Sequence, residues 1–443
     1  MFIIIIRVIL SRLNKEVSTV KITRVELFNF RCFDRKSISF NDEQNNVRHF
    51  TVLIGDNAIG KTTILEAVAK AFVPVLRPIN KNVAKPDDFK DITDSDIRTG
   101  KKWTAIELEV NYEGTDYSWH NHRRISSIVE MKEVGELKSQ KLIKDAIIKN
   151  IENENEEKKT PLVIYYSINR MFIDIPRRRS STQTGLEAKE ALDHAFATKN
   201  DFRRFYNWFK NEEENELRMH RSNKQYKSIK LNAVRNAINS VMEGYKNLRI
   251  EVQPSRMVMD DSNGNEFNVM HLSGGYKAIF SLVCDIASRL SLAYPNKENP
   301  LNAEALILID ELDLHLHPNW QKTIVEDLKR TFPNCQFVVT THSPFIIQSL
   351  RKDEVINLES EDGSEKQIGT YNGYSIDDIQ QEMGVEVKTP RFLEQLIVFN
   401  QSIDENNIIK AKSAYENIKN MIPDNDSMLK MMRLDMIVME EDK

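Results

Sequence analysis

Two periods divide the chain: short apolar runs with near-alternation, and longer stretches in which apolar residues recur every three or four positions. From Val20 to Phe40 the run VKITRVELFNFRCFDRKSISF is rich in β-branched and aromatic residues, which predicts a hairpin or two adjacent strands. His49 to Ile54 reads as a short apolar strand that stops at Gly55. From Thr62 to Phe72, Ile64, Leu65, Val68, Ala71 and Phe72 take helical spacing. Ile106, Leu108 and Val110 alternate within further strands over 103–128, and a charged helical stretch is expected from Ile128 to Lys159. A strand from Pro161 to Tyr166 follows, then a loop around Arg177-Arg178-Arg179-Ser180-Ser181, then a strongly helical and highly charged segment from Gly185 to Tyr245. Strands flank an Asp261-Ser262-Asn263-Gly264-Asn265 turn within 249–269. After it come a helix opened by Ser273-Gly274-Gly275, a strand Ala305 to Ile309, a helix Pro318 to Phe332, a strand Gln336 to Thr340 and a helix from Pro344. The tail from Ser375 to Lys443 reads as helical, with a break at Met421-Ile422-Pro423-Asp424.

Strands that alternate with helices imply an α/β fold: a mostly parallel sheet with helices on both faces, an antiparallel β segment and an inserted helical subdomain. The expected division is an N-terminal lobe over 1–126, a helical insertion over 127–248, a C-terminal lobe over 249–374 and a helical C-terminal region over 375–443. At 443 residues the chain can bury one large domain with insertions, or two domains.

Composition adds mainly exclusions. With 40% hydrophobic and 29% charged residues, the chain is neither disordered nor fibrous in character. A formal net charge of -4 gives no global basic footprint, so any nucleic-acid contact needs a local patch or a partner. Cys32, Cys284 and Cys335 are too widely spaced for a disulfide framework or a zinc site, which fits a reducing, cytoplasmic compartment. The apolar start MFIIIIRVIL is interrupted by Arg7 and falls far short of the roughly 20 residues that span a bilayer. It is expected to be an overlong start or an extra strand or helix, with no membrane role.

Chemistry enters at Gly55-Asp56-Asn57-Ala58-Ile59-Gly60-Lys61-Thr62, which fits G-x-x-x-x-G-K-[ST] between a strand and a helix. Backbone N–H groups through Thr63 can face phosphate oxygens, the helix N-terminus adds its dipole, Lys61 reaches the outer phosphates and the Thr62 hydroxyl can ligate Mg²⁺. These features predict ATP and Mg²⁺ as cofactors. Leu306-Ile307-Leu308-Ile309-Asp310-Glu311 delivers two acids to the carboxyl edge of a parallel sheet. Asp310 is placed to hold Mg²⁺, and Glu311 to orient and deprotonate a water for phosphoryl transfer. Ser273, Gly274 and Gly275 at a helix N-terminus make a second anion site, which a chain that already has one phosphate loop would offer to a neighbouring copy.

In this order the motifs resemble ABC-type ATPases of the OLD, RecF and SMC-like branch. Glu311-Leu312-Asp313-Leu314-His315-Leu316-His317-Pro318 is similar to their E-x-D-x-H-L-H-P stretch, and Leu272-Ser273-Gly274-Gly275-Tyr276-Lys277 to their signature. Thr340-Thr341-His342-Ser343-Pro344 is similar to their switch-histidine segment, and Asn29-Phe30-Arg31-Cys32-Phe33 to the strand that opens them. The resemblance implies that Ser273, Gly274 and Gly275 contact the γ-phosphate in trans, that Asp313 lies in the segment crossing the dimer interface, and that His342 senses or stabilises the γ-phosphate. It departs at Tyr276, where a Gln is usual, and at the Mg²⁺-holding Gln after the first helix, for which Ser167-Ile168-Asn169-Arg170 stands as the candidate substitute.

The compact length and the lack of an effector of its own resemble the PtuA-type ATPases of Septu anti-phage systems and of some retrons. That resemblance implies a homodimer or higher even-numbered oligomer, a separate HNH nuclease partner, and contact with DNA or with retron RNA/DNA. Two other readings stay open. One is an autonomous RecF/SMC-like repair or recombination ATPase that binds DNA directly, with Arg177-Arg178-Arg179 or Arg123-Arg124 as the basic feature. The other is a nucleotide-gated scaffold with little turnover.

Overall fold

A computed structural model describes residues 20–443 except 85–88, 90, 132–133, 135–137, 153–159, 170–187, 198–201, 254, 360–369, 372, 384–388, 406, 423–425 and 442–443. The chain divides into two compact units, 1–374 and 375–443.

The first unit is built on three sheets. β1 (Lys21–Phe30), β2 (Phe33–Ser39), β4 (Trp103–Tyr112) and β5 (Thr115–Arg124) form an antiparallel sheet in the order β2-β1-β4-β5. A second sheet is parallel throughout, in the order β12-β3-β11-β10-β6. Its members are β3 (Phe50–Ile54), β6 (Val163–Tyr166), β10 (Leu306–Ile309), β11 (Gln336–Thr340) and β12 (Val355–Asn357). Every residue of β3, β6, β10 and β11 is buried, which is why they read as unbroken apolar runs rather than alternating ones. β7 (Lys246–Val252), β8 (Ser255–Asp260) and β9 (Glu266–Asn268) make the small third sheet around the predicted turn. β6, from the middle of the 127–248 segment, is thus an edge strand of the parallel sheet.

Gln336 joins the first two sheets. Its amide accepts from Ile22 N at 2.8 Å and donates to Ile22 O at 2.9 Å, beside the β1 bulge between Ile22 and Arg24. Helix α1 (Lys61–Leu76) contains Pro74, which cannot donate to the carbonyl of Lys70. Asn121 Nδ2 of β5 bonds that carbonyl instead, at 3.0 Å, and Trp119 Nε1 takes Ala71 O at 3.0 Å. The proline therefore leaves no orphan acceptor there, and it locks α1 to the antiparallel sheet.

The helix expected from Ile128 to Lys159 begins later than predicted: α2 spans Lys141–Glu152, and 153–159 lie outside the described residues. Upstream of it the chain pairs with β5, His120 N donating to Lys138 O and Lys138 N to His120 Nδ1. Val134 packs with Phe28, Trp103 and Ala105. Backbone bonds and apolar burial there go to the sheet, so local helical spacing loses to tertiary contacts. The charged segment contributes α3 (Phe202–Ser222) and α4 (Ile229–Val241), and Ser273 is the N-cap residue of α5 (Gly274–Ala293). The helix predicted over 318–332 is two pieces, α6 (Pro318–Gln321) and α7 (Ile324–Thr331), separated where Lys322 N and Thr323 N close turns onto Pro318 O and Trp320 O. The short α8 (Pro344–Gln348) is capped by the Ser343 hydroxyl.

A buried ion cluster ties α5 to this core. Asp285 accepts from Tyr166 OH at 2.7 Å and from Arg289 Nε at 2.7 Å, and Arg204 Nη1 of α3 lies 3.5 Å away. Burial pushes the Asp285 carboxyl up, but Arg289 and Arg204 outweigh it and hold the group below its ordinary range. Burial, with Asp285 beside it, drives the Tyr166 phenol well above its usual value.

The second unit holds α9 (Ile376–Glu382), α10 (Pro390–Asp404), α11 (Ile408–Lys419) and α12 (Ser427–Glu441). A capping box of Ser375 and Asp378 opens α9, and Thr389 with Pro390 opens α10. Phe392, Phe399, Ala411, Ala414, Tyr415, Ile418, Leu429 and Met432 form its core. The predicted break falls between α11 and α12.

Candidate nucleotide site

The parallel strands end at one edge, and the candidate residues leave from there. β3 runs into Gly55, whose φ of +136° belongs to glycine, and the loop turns again at Ala58 (φ 66°) and Gly60 (φ 109°) before α1 begins at Lys61. A Cβ on Gly60 would lie 2.7 Å from Phe33 Cε2 and 2.8 Å from Cys32 Sγ, so the β1–β2 turn backs the loop and excludes any larger residue. Arg31, at the same turn, bridges Glu66 of α1 at 2.6 Å and Asp96 at 2.8 Å, while Asp96 also pairs with Lys70 at 2.6 Å. The opening motif is a wall that fixes the phosphate loop from behind.

Lys61 Nζ donates to Gly55 O at 2.6 Å and to Asp56 O at 2.9 Å. Burial lowers its ammonium below the ordinary lysine value, and the nearby carboxylates Asp56, Asp310, Glu311 and Glu359 counter this only in part. Thr62 Oγ1 lies 3.0 and 2.9 Å from the two Asp310 oxygens. A hydroxyl and a carboxylate held together at a sheet edge are hard oxygen donors, which suit a divalent cation that bridges phosphates. The amide-lined loop, the lysine and this oxygen pair fit a nucleotide's phosphates with Mg²⁺.

Thr340 sets both acids. Its hydroxyl donates to Asp310 Oδ1 at 2.7 Å and accepts from Glu311 N at 2.7 Å. Glu311 takes φ 49°, a left-handed conformation that carries strain in a non-glycine residue. Asp313 ties the next turn to the switch segment: its Oδ1 accepts from Thr341 Oγ1 at 2.5 Å and from His342 N at 3.2 Å, with the His342 side chain left exposed. His317 Nδ1 accepts from Asn319 N at 3.3 Å and caps α6.

Gly275 sits against the turn that carries His315, while Ser273 and Gly274 are exposed. A Cβ on Gly275 would come within 2.6 Å of His315 O, whereas one on Gly274 would meet nothing within 4 Å. Tyr276 stands edge-on to Trp320 with ring centroids 4.7 Å apart, and to Tyr245 at 6.1 Å. The aromatic residue at the usual Gln position therefore anchors α5 to α6. We expect Gly275→Ala to lower stability by about 1–3 kcal/mol through overpacking against backbone, read as a drop in thermal midpoint, with Gly274→Ala unchanged.

No motif of the sequence gives Thr340 or Gln321 a chemical role; the Gln321 amide accepts from Ser343 Oγ at 2.5 Å and donates to Leu316 O at 2.8 Å. A hydroxyl at the end of the strand beside Asp310 was the only signal for the first. Ser167, at the exit of β6, is buried and accepts from Asn169 N at 3.3 Å, while Arg170 lies outside the described residues. Arg177 to Arg179, with Ser180 and Ser181, also lie outside them, as does the segment 1–19. The other basic pair is engaged, Arg123 with Asp94 at 2.7 Å and Arg124 with Val129 O at 3.2 Å. Among the described residues no helix is long and apolar enough to cross a membrane.

The chain is similar to known proteins over most of its length. "Retron Ec83 probable ATPase" of Escherichia coli is 26% identical over 79% of this chain and 74% of its own length. "Septu protein PtuA" of Bacillus thuringiensis is 25% identical over 90% of this chain and 93% of its own. The SMC head domain from Thermotoga maritima aligns over 76% of this chain at 14% identity with a TM-score of 0.40. The family described as "AAA domain, putative AbiEii toxin, Type IV TA system" matches residues 50–348, a span that runs from the phosphate loop through Asp310 and Glu311 to His342, and the chain belongs to it.

Proposed function

We propose that this chain is the ATPase subunit of an anti-phage defence complex, in which paired copies bind ATP between them and control a separate HNH nuclease. The observation that carries the ATPase reading is the edge where Lys61, Thr62, Asp310 and Glu311 converge. The likeness to retron and Septu proteins over most of the chain supports the defence setting.

Mg²⁺-ATP supplies a γ-phosphoryl group and a cation that spreads its charge. Loop amides and the α1 N-terminus hold the phosphates, and Lys61 exchanges its two carbonyl partners for phosphate oxygens. Thr62 Oγ1 and Asp310 hold the cation. Glu311, its main chain held by Thr340, orients a water and accepts its proton. His342 offers an N–H to charge that develops at the site. Ser273, Gly274 and Gly275 serve the pocket of a second copy, which makes an even-numbered assembly the working form.

Phage plating tests the defence reading. The gene and its neighbours are expressed in a sensitive host, with and without Lys61→Ala. Protection is expected to vanish in the variant. Equal protection by the two would contradict the proposal.

A further inference from the structure

One side chain reaches the phosphate loop from far along the chain. Glu359 Oε1 accepts the N–H of Asp56 at 2.7 Å across 303 residues of sequence. The contact is built rather than incidental. β12 pairs with β3 up to Asn357–Ile54, and Leu358 N continues the pairing onto Ile54 O at 3.0 Å. Lys36 Nζ holds Leu358 O at 2.9 Å, and Glu359 N bonds Asn357 Oδ1 at 3.0 Å in a local turn that aims the carboxylate at the loop. A Cβ on Gly55 would come within 3.7 Å of both the Asn357 and Glu359 side-chain oxygens, so the loop and this segment are in close contact.

The bond acts on the loop from the side opposite Lys61. The lysine holds the carbonyls of Gly55 and Asp56, while Glu359 holds the N–H of Asp56. Nothing in a phosphate loop requires a carboxylate there. A neutral acceptor would order the amide as well, and a negative charge beside bound phosphates opposes them.

Resting on the nucleotide reading of this site, we infer that Glu359 is a positioning residue of the phosphate loop that also weakens it. Its carboxylate orders the loop by accepting the Asp56 N–H, and its charge lowers the loop's affinity for the phosphates. The chain thereby holds a preformed loop without binding ATP so tightly that exchange is slow.

Substitution separates the two effects. Glu359→Gln keeps an acceptor and removes the charge; Glu359→Ala removes both. Without nucleotide, hydrogen–deuterium exchange over 54–60 should match the unchanged protein in the Gln variant and quicken by about 10-fold in the Ala variant. Calorimetric titration with Mg²⁺-ATP near 0.15 M salt should give about 3- to 10-fold tighter binding for the Gln variant, a gap that closes near 1 M salt as charges are screened. The Ala variant should bind less tightly than the Gln variant. Binding by the Gln variant no tighter than by the unchanged protein, or unaltered exchange in the Ala variant, would overturn the inference. If the unchanged protein bound ATP no better than Lys61→Ala, the nucleotide reading itself would fail, and this inference with it.

Discussion

Glu311→Gln is expected to leave ATP binding intact while turnover falls by about 10²- to 10⁴-fold, the range that a positioned general base contributes. The substitution changes little else. Glutamine has the shape to keep the backbone bond to Thr340 Oγ1 and the φ of 49°, so the strained turn into Leu312 is preserved. It cannot take a proton from water. ATP should therefore accumulate in the pocket, and the nucleotide-bound assembly should persist in sedimentation experiments. Steady-state phosphate release with parallel ATP titration reads both quantities, and unchanged release would remove Glu311 from the base role. The same variant separates hydrolysis from occupancy in the cell: phage protection that survives it would favour a nucleotide-gated scaffold.

Lys61→Ala acts one step earlier. A charge-assisted hydrogen bond contributes about 1.5–3 kcal/mol, so losing the ammonium should weaken ATP by about 10- to 100-fold. Stability should change little. The side chain is buried, and its burial already disfavours the charged form, while the ammonium bonds two carbonyls of a loop whose conformation its glycines also set. A near-constant thermal midpoint with lost ATP affinity is the expected pattern. A large fall in the midpoint would instead make Lys61 a structural residue of the loop.

Much of this site was legible in the sequence because its parts are local. The phosphate loop, the apolar strand ending in Asp310 and Glu311, and the Ser-Gly-Gly helix start each carry their chemistry within a few residues. The two periods also placed nearly every strand, since runs such as Leu306 to Ile309 are buried on both faces. What escaped were the long-range contacts. Thr340 becomes the hinge of both acids only because β10 and β11 pair in parallel register, Ile309 beside Val339. Glu359 reaches Asp56 through the pairing of β12 with β3, which no local pattern announces. The helix expected from Ile128 starts only at Lys141 for the converse reason, because Lys138 pairs with His120 of β5 and Val134 joins the cluster with Phe28 and Trp103. Tyr276 was visible as a departure from the signature, but its meaning waited on Trp320, 44 positions later and 4.7 Å away between ring centroids.

That aromatic contact bears on how copies would work together. α5, α6 and the turn holding Asp313 are fastened to one another through Gly275 against His315 O, Tyr276 against Trp320, and Gln321 against Ser343. The surface that the proposal gives to a second copy is thus connected to the segment carrying His342. A packed, physically continuous set of contacts is one route by which two pockets are coupled.

Under the proposed function each pocket takes its phosphate loop from one copy and Ser273 to Gly275 from another. Mixing two inactive variants distinguishes this arrangement from a pocket built within one chain. Lys61→Ala spoils the loop, and Ser273→Arg obstructs the signature, so each alone should lose turnover. In a 1:1 mixture half of the dimers are mixed, and each of these has one pocket with both halves intact, so about a quarter of the unchanged activity should return. A mixture as inactive as its components would place loop and signature in the same chain's pocket and contradict the account.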